Sequence, residues 1–221
     1  MRLVLISDTH THEAGLKMPA GDGLIVAGDI TNLFKNGWDE QVRRFADWLK
    51  MQPYEFKAVI GGNHDRVLQM QEEWARGLLG EESYLCDSEM RMGGLRVWGA
   101  PWTPAHDPIA FNLPHEVIGA KWKLIPDGID VLVTHGPPYG ILDRTFEGPG
   151  GDLELLAAVE RVRPLLHVFG HLHEGHGTRR VGKTSFVNAS VAGGGDMGYR
   201  PVWEPVVVDV ERGRQAVVVS D

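Results

Sequence analysis

The chain has 221 residues, 43% of them hydrophobic and 24% charged, and a formal net charge of −8. That composition supports a sizeable core and excludes global disorder, while the acidic balance repels long nucleic acid and anionic lipid. One cysteine, Cys86, excludes an intramolecular disulfide and reads as a structural thiol. The apolar run at the N-terminus is too short for a secretion signal, and none approaches the roughly 20 residues of a membrane span, so a soluble cytoplasmic protein without membrane association is expected.

Short apolar runs rich in Val, Ile and Leu recur at residues 3–6, 24–27, 56–60, 95–99, 129–134, 165–169, 185–188, 206–210 and 216–219. They are brief, often β-branched and bounded by turn residues, which predicts buried strands. The last two, split by Glu-Arg-Gly-Arg, predict a hairpin. Helical spacing is found at 38–51, where Val42, Phe45, Trp48 and Leu49 share a face, at 67–79, and at 152–162 with Asp152 as N-cap and Pro164 beyond the end. Residues 9–22, 102–126 and 136–151 read as loops. Strands alternate with helices early and dominate late, which predicts an α/β domain with a mixed sheet or two sheets and helices outside. No composition break marks a domain boundary, so one domain over 1–221 is expected.

The chemistry-bearing residues fall just after the apolar runs. Run 3–6 leads into Asp8-Thr9-His10, run 24–27 into Gly28-Asp29, and run 56–60 into Gly61-Gly62-Asn63-His64-Asp65. Run 129–134 leads into His135-Gly136, and run 165–169 into Gly170-His171-Leu172-His173. Ligand sites in open α/β sheets gather beyond the carboxyl ends of strands, so five such ends can share one crevice. Imidazoles, carboxylates and an amide oxygen suit Zn, Mn, Fe or Mg, and no thiolate is available for a structural Cys-type zinc site. Singly, each motif is matched by an ordinary turn; five in order are not.

The set Asp8-x-His10, Gly28-Asp29, Gly62-Asn63-His64-Asp65, His135 and Gly170-His171-x-His173 resembles the calcineurin-like metallophosphoesterase superfamily. THGPPYGILD, RPLLHVFGHLHEGHG and VNAS are similar to the metallophosphoesterase-domain phosphodiesterases of the vertebrate brain and fetal-tissue group. The resemblance implies a four-layer α/β/β/α sandwich with two mixed sheets. It further implies two divalent ions, Mn²⁺ foremost and Fe, Zn, Mg or Co as alternatives. Asp8, His10 and His173 would hold one ion, Asn63, His135 and His171 the other, and Asp29 would bridge them. His64 would be catalytic, stabilising the phosphate or protonating the leaving oxygen, with Asp65 orienting it. Some relatives carry Gly in place of the first His of the last motif; this chain keeps His171. The implied substrate is a small phosphodiester or nucleotide, 2′,3′-cyclic nucleotides among them.

Other residues stay open at this stage. Asn63, His64, Arg66, Tyr139 and His176 are candidate substrate contacts, although Arg66 equally suits the start of a helix and His176, like Glu174, a solvated loop. Asn188 reads either as a family position or as a satisfied strand-end amide. Trp98, Trp102 and Trp122 are expected to pack. The rival activities are a phosphomonoesterase or protein phosphatase, and a low-activity module that binds nucleotide and metal.

Overall fold

The computed structural model describes residues 1–105, 109–194 and 199–219. Its strands, in chain order, are β1 (Arg2–Ile6), β2 (Gly23–Val26), β3 (Phe56–Val59), β4 (Ser88–Met92), β5 (Leu95–Ala100), β6 (Thr103–Pro104), β7 (Asn112–Leu113), β8 (Val131–Thr134), β9 (Arg144–Thr145), β10 (Gly148–Pro149), β11 (Leu166–Phe169), β12 (Gly177–Val181), β13 (Thr184–Asn188), β14 (Val206–Asp209) and β15 (Val217–Val219). The α-helices are α1 (Trp38–Met51), α2 (Arg66–Met70), α3 (Glu72–Leu79), α4 (His115–Trp122) and α5 (Leu153–Val162).

Two mixed sheets carry the fold. The first runs β15-β14-β1-β2-β3, with β1, β2 and β3 parallel and β14 antiparallel to β1, the terminal hairpin completing the edge. The second runs β12-β13-β11-β8-β5-β4, parallel through its middle and antiparallel at both edges. Successive side chains of a strand point to opposite faces. Leu3 and Leu5 of β1 therefore enter the core between the sheets, where Val131, Val133, Leu166 and Val168 meet them. Val4 and Ile6 point the other way, into a core with Val42 and Phe45 of α1 and Leu79 of α3. On the far face of the second sheet, Leu132 and Phe169 pack with Trp122 of α4 and Leu155 of α5. The order is α/β/β/α. Burial on both faces is why the central strands read as continuous apolar runs.

The helices follow local rules. In α1, acidic Asp39 and Glu40 sit at the positive end and Lys50 at the negative end. In α5, Asp152 Oδ1 accepts from the amides of Glu154 at 2.8 Å and Leu155 at 3.3 Å, while its other oxygen takes the Trp122 indole N–H at 2.9 Å. Several features depart from expectation, the two-residue strands β9 and β10 inside the expected loop 136–151 among them. The segment 67–79 is two helices, broken at Gln71 with φ −133° and ψ 53°. The expected loop 102–126 contains α4, β6 and β7, with residues 106–108 lying outside the described residues. Edge strands β4 and β12, which had no place among the expected strands, carry mostly polar residues and are only partly buried, so their sequences lack an apolar run. Among the described residues, no helix is long and apolar enough to cross a membrane.

Candidate metal centre

Five strands deliver their following residues to one rim. Asp8 and His10 follow β1, Asp29 follows β2, Asn63 follows β3, His135 follows β8, and His171 and His173 follow β11. Hydrogen bonds stitch the two sheets together there. His135 Nδ1 lies 2.8 Å from the Ala27 carbonyl, and the His171 amide donates to Asp8 Oδ2 at 3.0 Å. The backbone is held in sparsely populated conformations: φ is 57° at Asp8, 43° at His10, 54° at Asp29 and 67° at His171. Such left-handed residues cost on the order of 1–3 kcal/mol each and persist only where surroundings impose them. Here the loops impose them on each other, the Asp8 amide donating to Gly28 O and the His10 amide to Asp29 O, both at 3.0 Å. Gly62 and Gly170 allow the close approach, since a Cβ at the first would run into the Asp29 carboxylate and at the second into Ser7 and Asp8.

Three imidazoles are oriented alike. The Nδ1 atoms of His10, His135 and His173 lie 3.1, 2.8 and 3.1 Å from the carbonyls of Thr31, Ala27 and Gly193. A carbonyl only accepts, so each ring donates Nδ1–H and turns its Nε2 inward. The Nε2 atoms of His10 and His173 face each other at 3.5 Å, with Asp8 Oδ1 at 3.6 Å from the latter. Asn63 Oδ1 lies 2.9 Å from His135 Nε2 and 2.8 Å from His171 Nδ1. Asp29 stands between the groups, Oδ2 at 3.8 Å from His10 Nε2 and Oδ1 at 3.4 Å from His135 Nε2. Among the described residues, Asp8–His10–His173, His10–Asp29–His64 and Asp8–Asp29–His135 each bring ligand atoms within 4.8 Å of one another.

The electrostatics agree with a cation-binding role. Burial opposes charge on Asp8, yet the hydrogen bond and charge of His173 outweigh it and hold the carboxyl well below the usual carboxylate range. Burial opposes charge on Asp29 too, and it is likewise held low, chiefly by His135 and His64. Burial also opposes a proton on His135, but Asp29 overrides it and raises the ring to about 9, so the ring holds an Nε2 proton that a bound cation would displace. Burial dominates at His10 and His171, which fall to about 4 and about 3 and are neutral, ligand-competent imidazoles. Two buried carboxylates and inward lone pairs, with no Lys or Arg among the described residues lining the cavity, form a donor set that fits divalent cations.

The site opens through a cavity of about 310 Å³ whose lining includes Asp29, Asn63, His64, His171, His173 and Tyr199. All seven residues expected as ligands converge at this rim, and His64 joins them, its ring centroid 4.6 Å from that of His10. The expected contact between Asp65 and the His64 ring is not formed. Asp65 accepts from the amides of Thr31 at 2.8 Å and Gly62 at 2.8 Å, and from the Thr31 hydroxyl at 2.9 Å. It ties the loop after β3 to the loop after β2. Burial and the Asp29 charge push its own carboxyl up to about 7. The His64 ring is held instead by the Leu33 amide, which donates to Nδ1 at 3.3 Å.

Three candidate substrate contacts lie elsewhere. The Arg66 guanidinium, at the first residue of α2, lies over the Trp38 ring at 5.8 Å. Tyr139 is 40% exposed and its amide bonds Asp152 O, outside the cavity lining. His176 turns away, stacking on Trp203 at 4.8 Å with Nδ1 at 2.8 Å from Ser190 O, and lines a separate groove of about 690 Å³. Asn188 is a buried brace, donating to the carbonyls of Leu172 at 2.9 Å and Leu142 at 3.3 Å and so fixing the turn that carries His171 and His173. Trp98 and Trp122 are buried, and Trp102 is half-buried, its indole N–H donating to Asp87 at 2.7 Å. Tyr199 was missed. It lies 135 residues beyond His64 in a Gly-rich stretch with no spacing that marks it, yet its ring is 4.3 Å from that of His10 and 5.1 Å from that of His64.

The fold and the buried His/Asp set define a metal-binding phosphoester hydrolase. Residues 1–175 match the calcineurin-like phosphoesterase model, and the chain belongs to that family. It is 40% identical over 242 residues to human metallophosphoesterase domain-containing protein 1, covering 97% of this chain and 72% of that protein. It is 38% identical to the UPF0046 protein T07D4.2 of Caenorhabditis elegans, over 85% of this chain and 55% of that one. In fold, it matches TT1561 of Thermus thermophilus with a TM-score of 0.57 at 14% identity, covering 85% and 88% of the two chains.

Proposed function

We propose that this phosphoesterase hydrolyses small phosphodiesters at a dinuclear centre. The observation that carries the reading is Asp29, whose two carboxylate oxygens face two different donor groups, His10 at 3.8 Å and His135 at 3.4 Å. Asp8, His10 and His173 with one Asp29 oxygen would hold one ion, and Asn63, His135 and His171 with the other oxygen the second. Two bound ions would supply Lewis acidity, lowering the pKa of water and neutralising charge on phosphate oxygens. Mn²⁺ is the first ion to test, followed by Fe, Zn, Mg and Co.

The residues of the chain do the rest. His64 has Nδ1 occupied by the Leu33 amide, so its proton sits on Nε2, a hydrogen-bond donor for a phosphoryl or leaving oxygen. The Asp29 carboxylate fixes the His64 backbone, accepting from its amide at 2.8 Å. Preference for diesters is supported by the lining, which offers Glu174 and no Lys or Arg among the described residues. A diester carries one negative charge and a monoester about two, and the second charge would need a further cationic partner.

The test is metal analysis of the purified protein followed by turnover of bis-p-nitrophenyl phosphate against p-nitrophenyl phosphate. Two equivalents of metal and faster turnover of the diester are expected. One equivalent or fewer, or a monoester preference, overturns the reading.

A further inference from the structure

The turn after Asp29 presents an aromatic ring to solvent beside the candidate catalytic histidine. Phe34 is 74% exposed, yet its turn is tightly built. Its own amide donates to Asn32 Oδ1 at 3.0 Å, the Asn32 amide to Gln41 Oε1 at 2.8 Å, and the Trp38 indole N–H to Leu33 O at 3.2 Å. Gln41 returns its side-chain amide to the carbonyls of Lys35 and Asn36. An exposed ring on a turn braced by these bonds is carried by a pre-organised backbone, so little backbone entropy remains to be lost when something packs on it. Phe34 is stacked with Tyr199, centroids 6.0 Å apart at 25°, and stands edge-on to His64 at 5.5 Å and 81°. Tyr199 in turn covers His10 and lines the site cavity. The two rings make a continuous aromatic wall running from the metal ligands outward, with most of the Phe34 surface uncovered.

We infer that Phe34 and Tyr199 form a stacking platform that selects phosphoesters carrying a planar aromatic ring on the ester substituent, and that Phe34 is its specificity-determining residue. The inference rests on the phosphoesterase reading above. Flat π-systems gain from offset stacking on such rings, whereas a puckered aliphatic ring of the same size makes poorer contact. Stacking of a base on an aromatic side chain is worth roughly five- to 150-fold in affinity.

Calorimetric titration of the metal-loaded protein with two matched pairs tests this. Adenosine 5′-monophosphate and ribose 5-phosphate differ only by the base; phenyl and cyclohexyl phosphate differ by ring planarity. The wild type is expected to bind the planar member of at least one pair about tenfold tighter. Phe34→Ala should collapse that ratio toward one while leaving ribose 5-phosphate and cyclohexyl phosphate affinity unchanged, and Phe34→Trp should keep it. A response in the phenyl pair alone assigns the platform to simple aryl esters, and in the adenosine pair alone to nucleobases. Equal affinities within both pairs in the wild type, or an unchanged ratio in Phe34→Ala, overturns the inference. Intact ratios with no hydrolysis of any phosphoester would instead overturn the catalytic reading and leave the platform standing.

Discussion

The Leu33 amide and the His64 ring are joined by a single hydrogen bond, N–H to Nδ1 at 3.3 Å. An amide N–H can only donate, so the bond selects the His64 tautomer with its proton on Nε2. A hydrogen-bond donor at that position is then the feature a substitution must keep. His64→Ala should lower kcat by about 10²–10³-fold, as removing one preorganised donor does elsewhere. His64→Gln, whose side-chain amide still offers an N–H, should recover part of that loss. Metal content should stay near the wild-type value in both variants. Steady-state turnover with metal analysis on the same samples checks this, and loss of metal from His64→Ala would contradict the role.

Asp29 supplies the charge between the two donor groups and also accepts from the His64 amide. Asp29→Asn keeps one acceptor oxygen and removes the charge. The variant should fold, yet bind at least one metal equivalent fewer per chain and lose about 10²-fold or more in turnover, because a neutral amide bridges two cations poorly. Full metal stoichiometry in this variant would count against the shared carboxylate.

Metal removal should be visible in stability as well as activity. A ligand that binds only the folded state at a hundred times its Kd stabilises by about 2.7 kcal/mol, which in a chain of this size is roughly 5–10 °C in Tm. Exhaustive chelation should therefore lower the melting temperature by about that amount and abolish turnover, and Mn²⁺ should restore both. Identical melting curves and full activity after chelation would show that the buried Asp and His groups do not depend on a cation.

His167, which is not among the candidate ligands, gives the fold an acid-sensitive element. It is buried in β11, with Nε2 at 2.8 Å from the Thr134 hydroxyl and Nδ1 without a hydrogen-bond partner among the described residues, and burial pushes its pKa down to about 3 from 6.5. The unfolded chain takes up a proton at His167 below pH 6.5 while the folded chain does not until about pH 3. Its stabilising contribution is thus complete above pH 6.5 and declines as pH falls toward 3. At about pH 5 the decline amounts to at most about 2 kcal/mol. Urea unfolding at about pH 7.5 and about pH 5 should show a smaller acid loss in His167→Gln than in the wild type. An equal loss in both would assign the acid limb to other groups.

The amino-acid order by itself determined the central strands and which Asp, Asn and His residues are candidate ligands. Parallel strands buried on both faces must be continuous apolar runs, and the Asp, Asn and His residues follow those runs directly, so element and candidate ligand are adjacent in sequence. It determined α1 and α5 for the same local reason, through amphipathic spacing and the Asp152 cap. The edge strands β4 and β12 were invisible because half-exposed polar strands carry no such pattern, and α4 because its buried residues are only Ile118 and Trp122, too few to set a period. Only the tertiary structure decided what each site residue touches. Asp65, next to His64 in sequence, faces Thr31 and Gly62, while Leu33, 31 residues away, holds the ring. Arg66 and His176 turn onto tryptophans, and Phe34 and Tyr199, 165 residues apart, meet in a stack. A side chain's direction is set by the backbone dihedrals and by the loops packed against it, and both depend on residues far along the chain.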